Sequence, residues 1–440
     1  MITSPLWRGK RFAVLGLARS GMATVRALAA SGAEVVAWDS DAEKRDALAE
    51  QVPHLRGGIV TFADVSEIDL LGFDALIVSP GVPINRHPVA ARARSANVPI
   101  LGDIELFAQA RASLPPHKVV GITGTNGKST TTALIHHILE SAGIPARLCG
   151  NIGKPILGEE PLAPNENGVG VYVIELSSYQ IDLTVSLDCD VAILLNITPD
   201  HLDRYAGFEA YAASKARLFA MQSPEHAAII GIGDVVSGEI ARSLSARGEH
   251  LTRIAPGTCM DQSRWPSLQG PHNAQNALAA IAACRALGLS ETEIDRGLES
   301  FKGLPHRMEL VRTRGGVAFV NDSKATNPES VAPALAAFPR IHWILGGHAK
   351  TDDLDACAPH FGHVARAYTI GEAGERFAAL LKPHMPVEES CLLASAVTSA
   401  AAQAQSGDTV LLSPACASFD QFRDFEDRGD RFRAAVEALS

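Results

Sequence analysis

Residues 121–132 read GITGTNGKSTTT, a run of Gly, Thr and Asn that passes through Gly-Lys-Ser. The apolar run KVVGIT leads into it, and a helical pattern, STTTALIHHILESAG, leads out. A loop that grips phosphates needs that context, because backbone N–H groups at a helix N-terminus point at an anion and the helix dipole favours it. Lys128 adds a mobile charge for β- and γ-phosphates, and the Ser129 hydroxyl suits Mg²⁺. The usual spacing has a Gly six positions before the Lys. Ile122 stands there, so only the tighter form Gly124-Thr125-Asn126-Gly127-Lys128-Ser129 is met. The plain alternative is a Gly-rich turn with a solvated lysine.

Other residues invite chemistry. Glu175 closes the apolar run VYVIE, where an acid is costly to bury unless it is paired or binds metal. Mg²⁺ is the favoured reading, and a helix-capping acid the other. NITPDHLDRY brings Asp200, His201 and Asp203 after another apolar run; by itself it reads equally as a capped helix start with a surface histidine. In VNDSKATNP, Asp322, Lys324 and Thr326 alternate at i, i+2 and i+4, so they share a face if a strand runs that far. LSPACASFDQFRDFEDRGDRF leaves a strand through small residues, and Ser413 or Ser418 is placed to bind an oxyanion. Near the N-terminus, GLARSG approximates a dinucleotide turn, Gly16-x-Ala18-x-x-Gly21, with Asp39 at the end of the next strand. Ala18 replaces the Gly that lets backbone close on a pyrophosphate.

The elements that must hold these residues read as three α/β units. The first has strand RFAVLGLA, helix SGMATVRALAASG, strand AEVVAWD and strand ALIVSPG. ASLPPHK at 112–118 reads as a linker. The second has strand KVVGIT, the loop and its helix, strands VYVIELSS and VAILLNIT, and helix FEAYAASKARLFA. Residues 222–270 give no clear assignment, and helix NAQNALAAIAACRALG follows. SFKGLPHR at 300–307 marks a second boundary. Strands VAFVNDS, IHWILGG, AYTIG and DTVLLSPA and helix SAVTSAAAQAQ make the third unit. The expected architecture is three domains, 1–115, 116–302 and 303–440. The first and last are Rossmann-like, the middle one is of the phosphate-loop type, and each sheet is largely parallel.

A chain of 440 residues exceeds one ordinary core. Its 46% hydrophobic and 20% charged residues are a normal globular balance, and a net charge of -10 argues against a broad nucleic-acid-binding face. Seven scattered cysteines with no C-x-x-C pair suggest free thiols in a reducing cytoplasm. The segment before Arg19 lacks the apolar stretch of a signal peptide, and nowhere do about 18 apolar residues run together as a membrane span requires.

Taken in order, GTNGKST, GNIG, ELSSYQ, NITPDHLDRY, SKARL, HNAQNALAA, GLPHRME, NDSKATNP, LGGHAK and LSPACASFDQF resemble the Mur ligase family over almost the whole chain. The last motif, with GDIELF at 102–107, resembles its D-glutamate-adding members. The resemblance implies that the first domain binds a UDP-sugar, the second ATP and the third an amino acid. ATP would phosphorylate the carboxylate of UDP-MurNAc-L-alanine, and D-glutamate would attack the acyl phosphate. It implies ATP contacts by Gly124–Thr130, Asn276, Arg307, Asp322 and Lys324. Two Mg²⁺ ions would be held by Ser129, Glu175, His201 and Lys215, with Lys215 carbamylated. The UDP-substrate would meet Gly16, Ser20, Gly21, Asp39, Ser40, Ser79, Gly81 and Asn151. D-Glutamate would meet His201, Thr326, Lys350, Ser418 and Phe425. Lys128, Glu175, His201 and Lys215 form the implied catalytic set.

A monomer without nucleic-acid or membrane partners is expected. His348 and Ala349 before Lys350 depart from the family's more open pattern, which affects the glutamate contact. A folylpolyglutamate synthase would lack the first domain. An L-glutamate-adding relative would share these motifs, an NAD-dependent oxidoreductase would leave GTNGKST idle, and a non-catalytic nucleotide-binding regulator would need no second metal site.

Overall fold

Short apolar runs bounded by glycine become strands buried on both faces, and the amphipathic segments between them become the helices that cover those faces. The computed structural model describes residues 1–440 except 56, 201–203, 256–260, 350, 352 and 440. It divides into two compact units, Met1–Pro256 with Leu278–Gly297, and Gly257–Ala277 with Leu298–Ser440.

The first unit contains two parallel sheets. β1 (Arg11–Leu15), β2 (Glu34–Trp38), β3 (Ile59–Phe62), β4 (Ala75–Val78) and β5 (Ile100–Leu101) lie in the order β3-β2-β1-β4-β5. The winding reverses between β1 and β4, which opens a crevice at their carboxyl ends. β6 (His117–Thr123), β7 (Ala146–Gly150), β8 (Gly170–Glu175), β9 (Val191–Leu194), β10 (Ala227–Gly231) and β11 (Leu251–Ile254) lie in the order β11-β10-β9-β6-β8-β7. Ile122 pairs with Glu175, and Thr123 with Leu194, so the loops after β6, β8 and β9 leave the sheet side by side. Val14, Val35 and Ile77 from one sheet share a continuous core with Val119, Ile174 and Leu194 from the other.

The stretch 222–270, unassigned from sequence, supplies β10, β11 and the helix Val235–Ser243. A run such as Ala-Ala-Ile-Ile is too short for periodicity to decide, and pairing with β9 decides it.

The second unit holds β12 (Glu309–Arg314), β13 (Val317–Asn321), β14 (Ile341–Gly346), β15 (Val364–Ile370), β16 (Val387–Cys391) and β17 (Thr409–Leu412), in the order β12-β13-β17-β14-β15-β16. β12 runs antiparallel to β13 and the other pairings are parallel, so this sheet is mixed. The Gly315–Gly316 pair between β12 and β13 is a hairpin signal legible in the sequence. Val331, Leu335, Trp343 and Phe377 pack in one core cluster of this unit, and Phe319, Tyr368, Phe432 and Val436 in another.

The strand-face expectation for Asp322, Lys324 and Thr326 fails. β13 stops at Asn321 and the chain turns at once, with the Ala325 amide donating to the Asp322 carbonyl at 2.9 Å. Among the described residues no helix is long and apolar enough to cross a membrane. Cys149, Cys189, Cys284, Cys357 and Cys416 are buried free thiols and Cys391 is an exposed one; Cys259 lies outside the described residues.

Candidate active site

The reversal between β1 and β4 opens a cavity of about 640 Å³ in the first unit. Gly16, Ser20, Asp39, Ser40, Ser79, Gly81 and Asn151 all line it. Gly21 stands behind the wall, where a Cβ would lie 1.8 Å from the Gly16 carbonyl oxygen, so only glycine lets the helix Arg19–Ala30 start this close to β1. The loop is tied down on both sides. The Ser79 hydroxyl donates to the Gly16 carbonyl at 2.8 Å, and the Asp39 carboxylate accepts from the Leu17 amide at 2.7 Å and the Asp41 amide at 3.0 Å. Burial raises the Asp39 carboxyl, but those two amides and Lys44 outweigh it and hold it below its usual value. Asp39 therefore shapes the cavity with both oxygens already engaged.

GDIELF sits nearby. Glu105 accepts from the Val185 and Ser186 amides at 2.7 and 2.9 Å, which anchors the helix Asp103–Ala110 to the connection that leads into β9. Burial pushes the Asp103 carboxyl up to about 6, and its Oδ2 takes no hydrogen bond from the protein.

The candidate phosphate loop joins β6 to the helix Lys128–Ser141, which starts after Gly127 at φ 84°. Asn196, just beyond β9, clamps it. The Thr125 amide donates to the Asn196 carbonyl at 2.9 Å, the Asn126 amide to Asn196 Oδ1 at 2.9 Å, and Asn196 Nδ2 to the Asn126 carbonyl at 3.2 Å. The amides of Thr125 and Asn126 are thereby occupied. Donors for an anion fall to the first turn of the helix, Ser129 and Thr130 among them, whose N–H groups have no partner within a helix. Lys128 Nζ donates to the carbonyls of Gly124 at 3.0 Å and Thr125 at 2.8 Å.

Two further groups converge on this loop. Lys215, on the helix Phe208–Ala220, is 2% exposed and donates to the same Gly124 carbonyl at 2.9 Å. Its Nζ lies 4.6 Å from the centre of the Tyr211 ring. Burial first, and the Lys128 charge second, push its ammonium down to about 7 against the pull of Asp200, Asp182 and Glu175. Glu175 ends β8, is 1% exposed, and accepts from Asn151 Nδ2 at 2.7 Å through Oε1. Its Oε2 takes no hydrogen bond from the protein. A buried carboxylate oxygen left open in this way fits a divalent cation. Among the described residues no three His, Cys, Asp or Glu side chains converge to hold a metal, so hydroxyl, phosphate or water oxygens would have to complete the shell. His201 lies outside the described residues.

The second unit carries the remaining candidates. Asn276 Nδ2 donates to Asn273 Oδ1 at 3.1 Å, and both residues are buried. Asp322 is also buried. Its Oδ2 accepts from the Ser413 hydroxyl at 2.7 Å and its Oδ1 from the Met308 amide at 3.2 Å, and burial pushes it up to about 7 against these bonds and the charges of Arg307 and Arg428. Ser413 is therefore committed to Asp322, which leaves Ser418 as the oxyanion candidate of that loop. Lys324 Nζ sits 3.7 Å from the centre of the Phe425 ring. Thr326 and Ser418 follow β13 and β17, which are paired neighbours. His348 pairs through Nδ1 with Glu372 at 2.9 Å, and its backbone exchanges hydrogen bonds with Ala417. Lys350 lies outside the described residues.

Three family models match the chain: Mur ligase MurD-like, N-terminal domain, over 10–102; Mur ligase middle domain over 122–258; and Mur ligase, glutamate ligase domain, over 306–416. Proteins named UDP-N-acetylmuramoylalanine–D-glutamate ligase align with the whole chain. The one from Novosphingobium aromaticivorans is 62% identical over 97% of its own length, and that from Zymomonas mobilis 54% identical over its full length. The chain belongs to the Mur ligase family.

Its fold matches Mur ligases at much lower identity. UDP-N-acetylmuramate–alanine ligase from Thermotoga maritima aligns over 98% of this chain and 100% of its own at TM-score 0.56 and 18% identity. Within the family frame, three residues lie in runs quoted from the sequence, but their contacts are not foreseen there: Asn196, Glu105 and Arg428. Each is a polar residue beside a short buried strand or helix start, a position where side chains commonly bond loop backbone. Sequence does not say which loop.

Proposed function

We propose that this protein joins D-glutamate to UDP-N-acetylmuramoyl-L-alanine, using ATP to form an acyl phosphate. The observation that carries the reading is the full-length identity of 54–62% to relatives named for that reaction. The site supports it. On this reading residues 1–115 take the UDP-substrate, 116–302 ATP, and 303–440 the amino acid.

A carboxylate resists an amine because its oxygen leaves poorly, and phosphorylation supplies a leaving group. The alanyl carboxylate oxygen attacks the γ-phosphorus and ADP departs. The amine of D-glutamate then attacks the acyl carbon and loses a proton to solvent, and the tetrahedral intermediate expels phosphate to leave the amide. Lys128 exchanges the Gly124 and Thr125 carbonyls for phosphate oxygens, which places a cation where negative charge gathers. The first-turn amides of Ser129 and Thr130 receive a phosphate at the helix N-terminus. Asn151 lines the cavity and also orients Glu175, so it links the substrate's reacting end to the phosphate loop.

Ser129 and Glu175 would hold one Mg²⁺, and His201 and Lys215 the second; the ions would neutralise phosphate charge. Lys215 becomes an anionic ligand if its neutral amine attacks CO₂ and releases a proton, and its lowered ammonium provides that amine near neutral pH. Asn276, Arg307, Asp322 and Lys324 would serve the nucleotide, and Thr326, Lys350, Ser418 and Phe425 the glutamate. The reaction would run in the cytoplasm, where its nucleotide substrates are made.

Phosphate release with ATP, Mg²⁺ and UDP-MurNAc-L-alanine, with D- or L-glutamate as acceptor, tests this. Release with D-glutamate alone is expected. Release with L-glutamate alone keeps the mechanism and changes the product; silence with both refutes the reading.

A further inference from the structure

Arg428 is 0% exposed, on the helix Phe425–Glu437. Its Nε donates to Ser323 Oγ at 2.9 Å. Its Nη2 donates to the Ser323 carbonyl at 2.8 Å and the Cys416 carbonyl at 3.0 Å, and its Nη1 to the Ala417 carbonyl at 3.3 Å. The Ser323 hydroxyl in turn donates to the Phe425 carbonyl at 2.8 Å. Among the described residues no carboxylate forms an ion pair with this guanidinium.

Burying a cation among carbonyls is a costly way to fill a core, and an apolar side chain of similar volume often does as well or better. A planar fork of N–H donors does what an apolar side chain does not: it holds carbonyls and a hydroxyl from separate loops in one geometry. The loops concerned are those after β13 and β17. Ala417 extends the link to the loop after β14, because its amide and carbonyl each bond His348 at 2.9 Å. Ala415, in the same segment, is held in the left-handed region at φ 59°, a strain that persists only where surrounding contacts enforce it.

We propose that Arg428 is the positioning residue of the amino-acid pocket, fastening together the segments that carry Thr326, Ser418 and Phe425. The inference rests on the D-glutamate reading above. Ser323 precedes Thr326 by one turn of chain, Ala417 adjoins Ser418, and Phe425 is itself an anchor.

The test uses the full chain carrying Arg428→Lys, Arg428→Met or Ser323→Ala, with melting temperatures measured in parallel. Phosphate release gives KM for D-glutamate and for UDP-MurNAc-L-alanine, whose proposed site lies in the first unit. Arg428→Lys is expected to raise KM for D-glutamate about tenfold or more while leaving KM for the UDP-substrate within about twofold, and Ser323→Ala to raise the former about threefold. Unchanged KM for D-glutamate in folded variants, or an equal rise in both constants, overturns the proposal. If the Arg428 variants do not fold, Ser323→Ala decides. If the wild type uses another amino acid, the functional reading fails, and the same comparison with that amino acid decides the positioning role.

Discussion

Replacing Lys215 with methionine removes a buried charge and keeps most of the packing volume. The ammonium of Lys215 is lowered from 10.5 to about 7, chiefly by burial. A depressed lysine destabilises the fold while it must carry its proton, and the penalty lifts as pH rises from the folded value towards the unfolded one. At pH 7 the folded group is about half protonated and the unfolded group almost fully, so the unfolded state binds more protons above pH 7. Integrated from pH 7 to pH 9, wild type should gain ~2 kcal/mol of stability relative to Lys215→Met. Urea unfolding followed by circular dichroism, in CO₂-depleted buffer at both pH values, measures that difference. A wild-type-minus-variant difference that stays flat across the window would refute the claim that burial holds this amine near neutrality. Restoring bicarbonate should then stabilise wild type and not the variant, and ¹³C-bicarbonate should give a carbamate resonance lost in Lys215→Met.

Other outcomes follow from the same geometry. Lys128→Ala should lower kcat by at least about a hundredfold, the scale of losing one charge-stabilising group at a reacting centre, and near-normal turnover would contradict the loop's role. Asn196→Ala should raise KM for ATP about tenfold, because both side-chain bonds to Asn126 are lost while the backbone bond to Thr125 stays; isothermal titration with a non-hydrolysable ATP analogue would expose an unaltered loop. Asp103 titrates near 6 in the fold and near 3.8 when unfolded, so its penalty appears as pH rises through that window. Asp103→Asn should therefore match wild type near pH 4 and exceed it by about 2 kcal/mol near pH 7, read from denaturant midpoints.

Much of the protein is legible in its one-dimensional order. GTNGKST between an apolar run and a helical one specifies a strand, a tight turn and a helix N-terminus, the frame a phosphate loop would need, because these are local features. The alternation of strands and helices specifies doubly wound sheets, and the motif series specifies the family. Other properties depend on contacts between residues far apart in sequence. β10 becomes a strand because β9 offers it an edge, and β11 because β10 then offers the next. Asp322, Lys324 and Thr326 leave the strand pattern because the chain turns where β13 ends. The SKARL lysine reads as an ordinary helix residue in sequence. It becomes a candidate nucleophile for CO₂ only because folding places it on the Gly124 carbonyl beside Lys128, out of water. Arg428 reads as one charge in the run FEDRGDRF, yet it is fully buried and bonded to two loops. Local propensity records which backbone a residue prefers. Burial, hydrogen-bond partners and the resulting shifts in protonation belong to the environment that distant segments assemble around it.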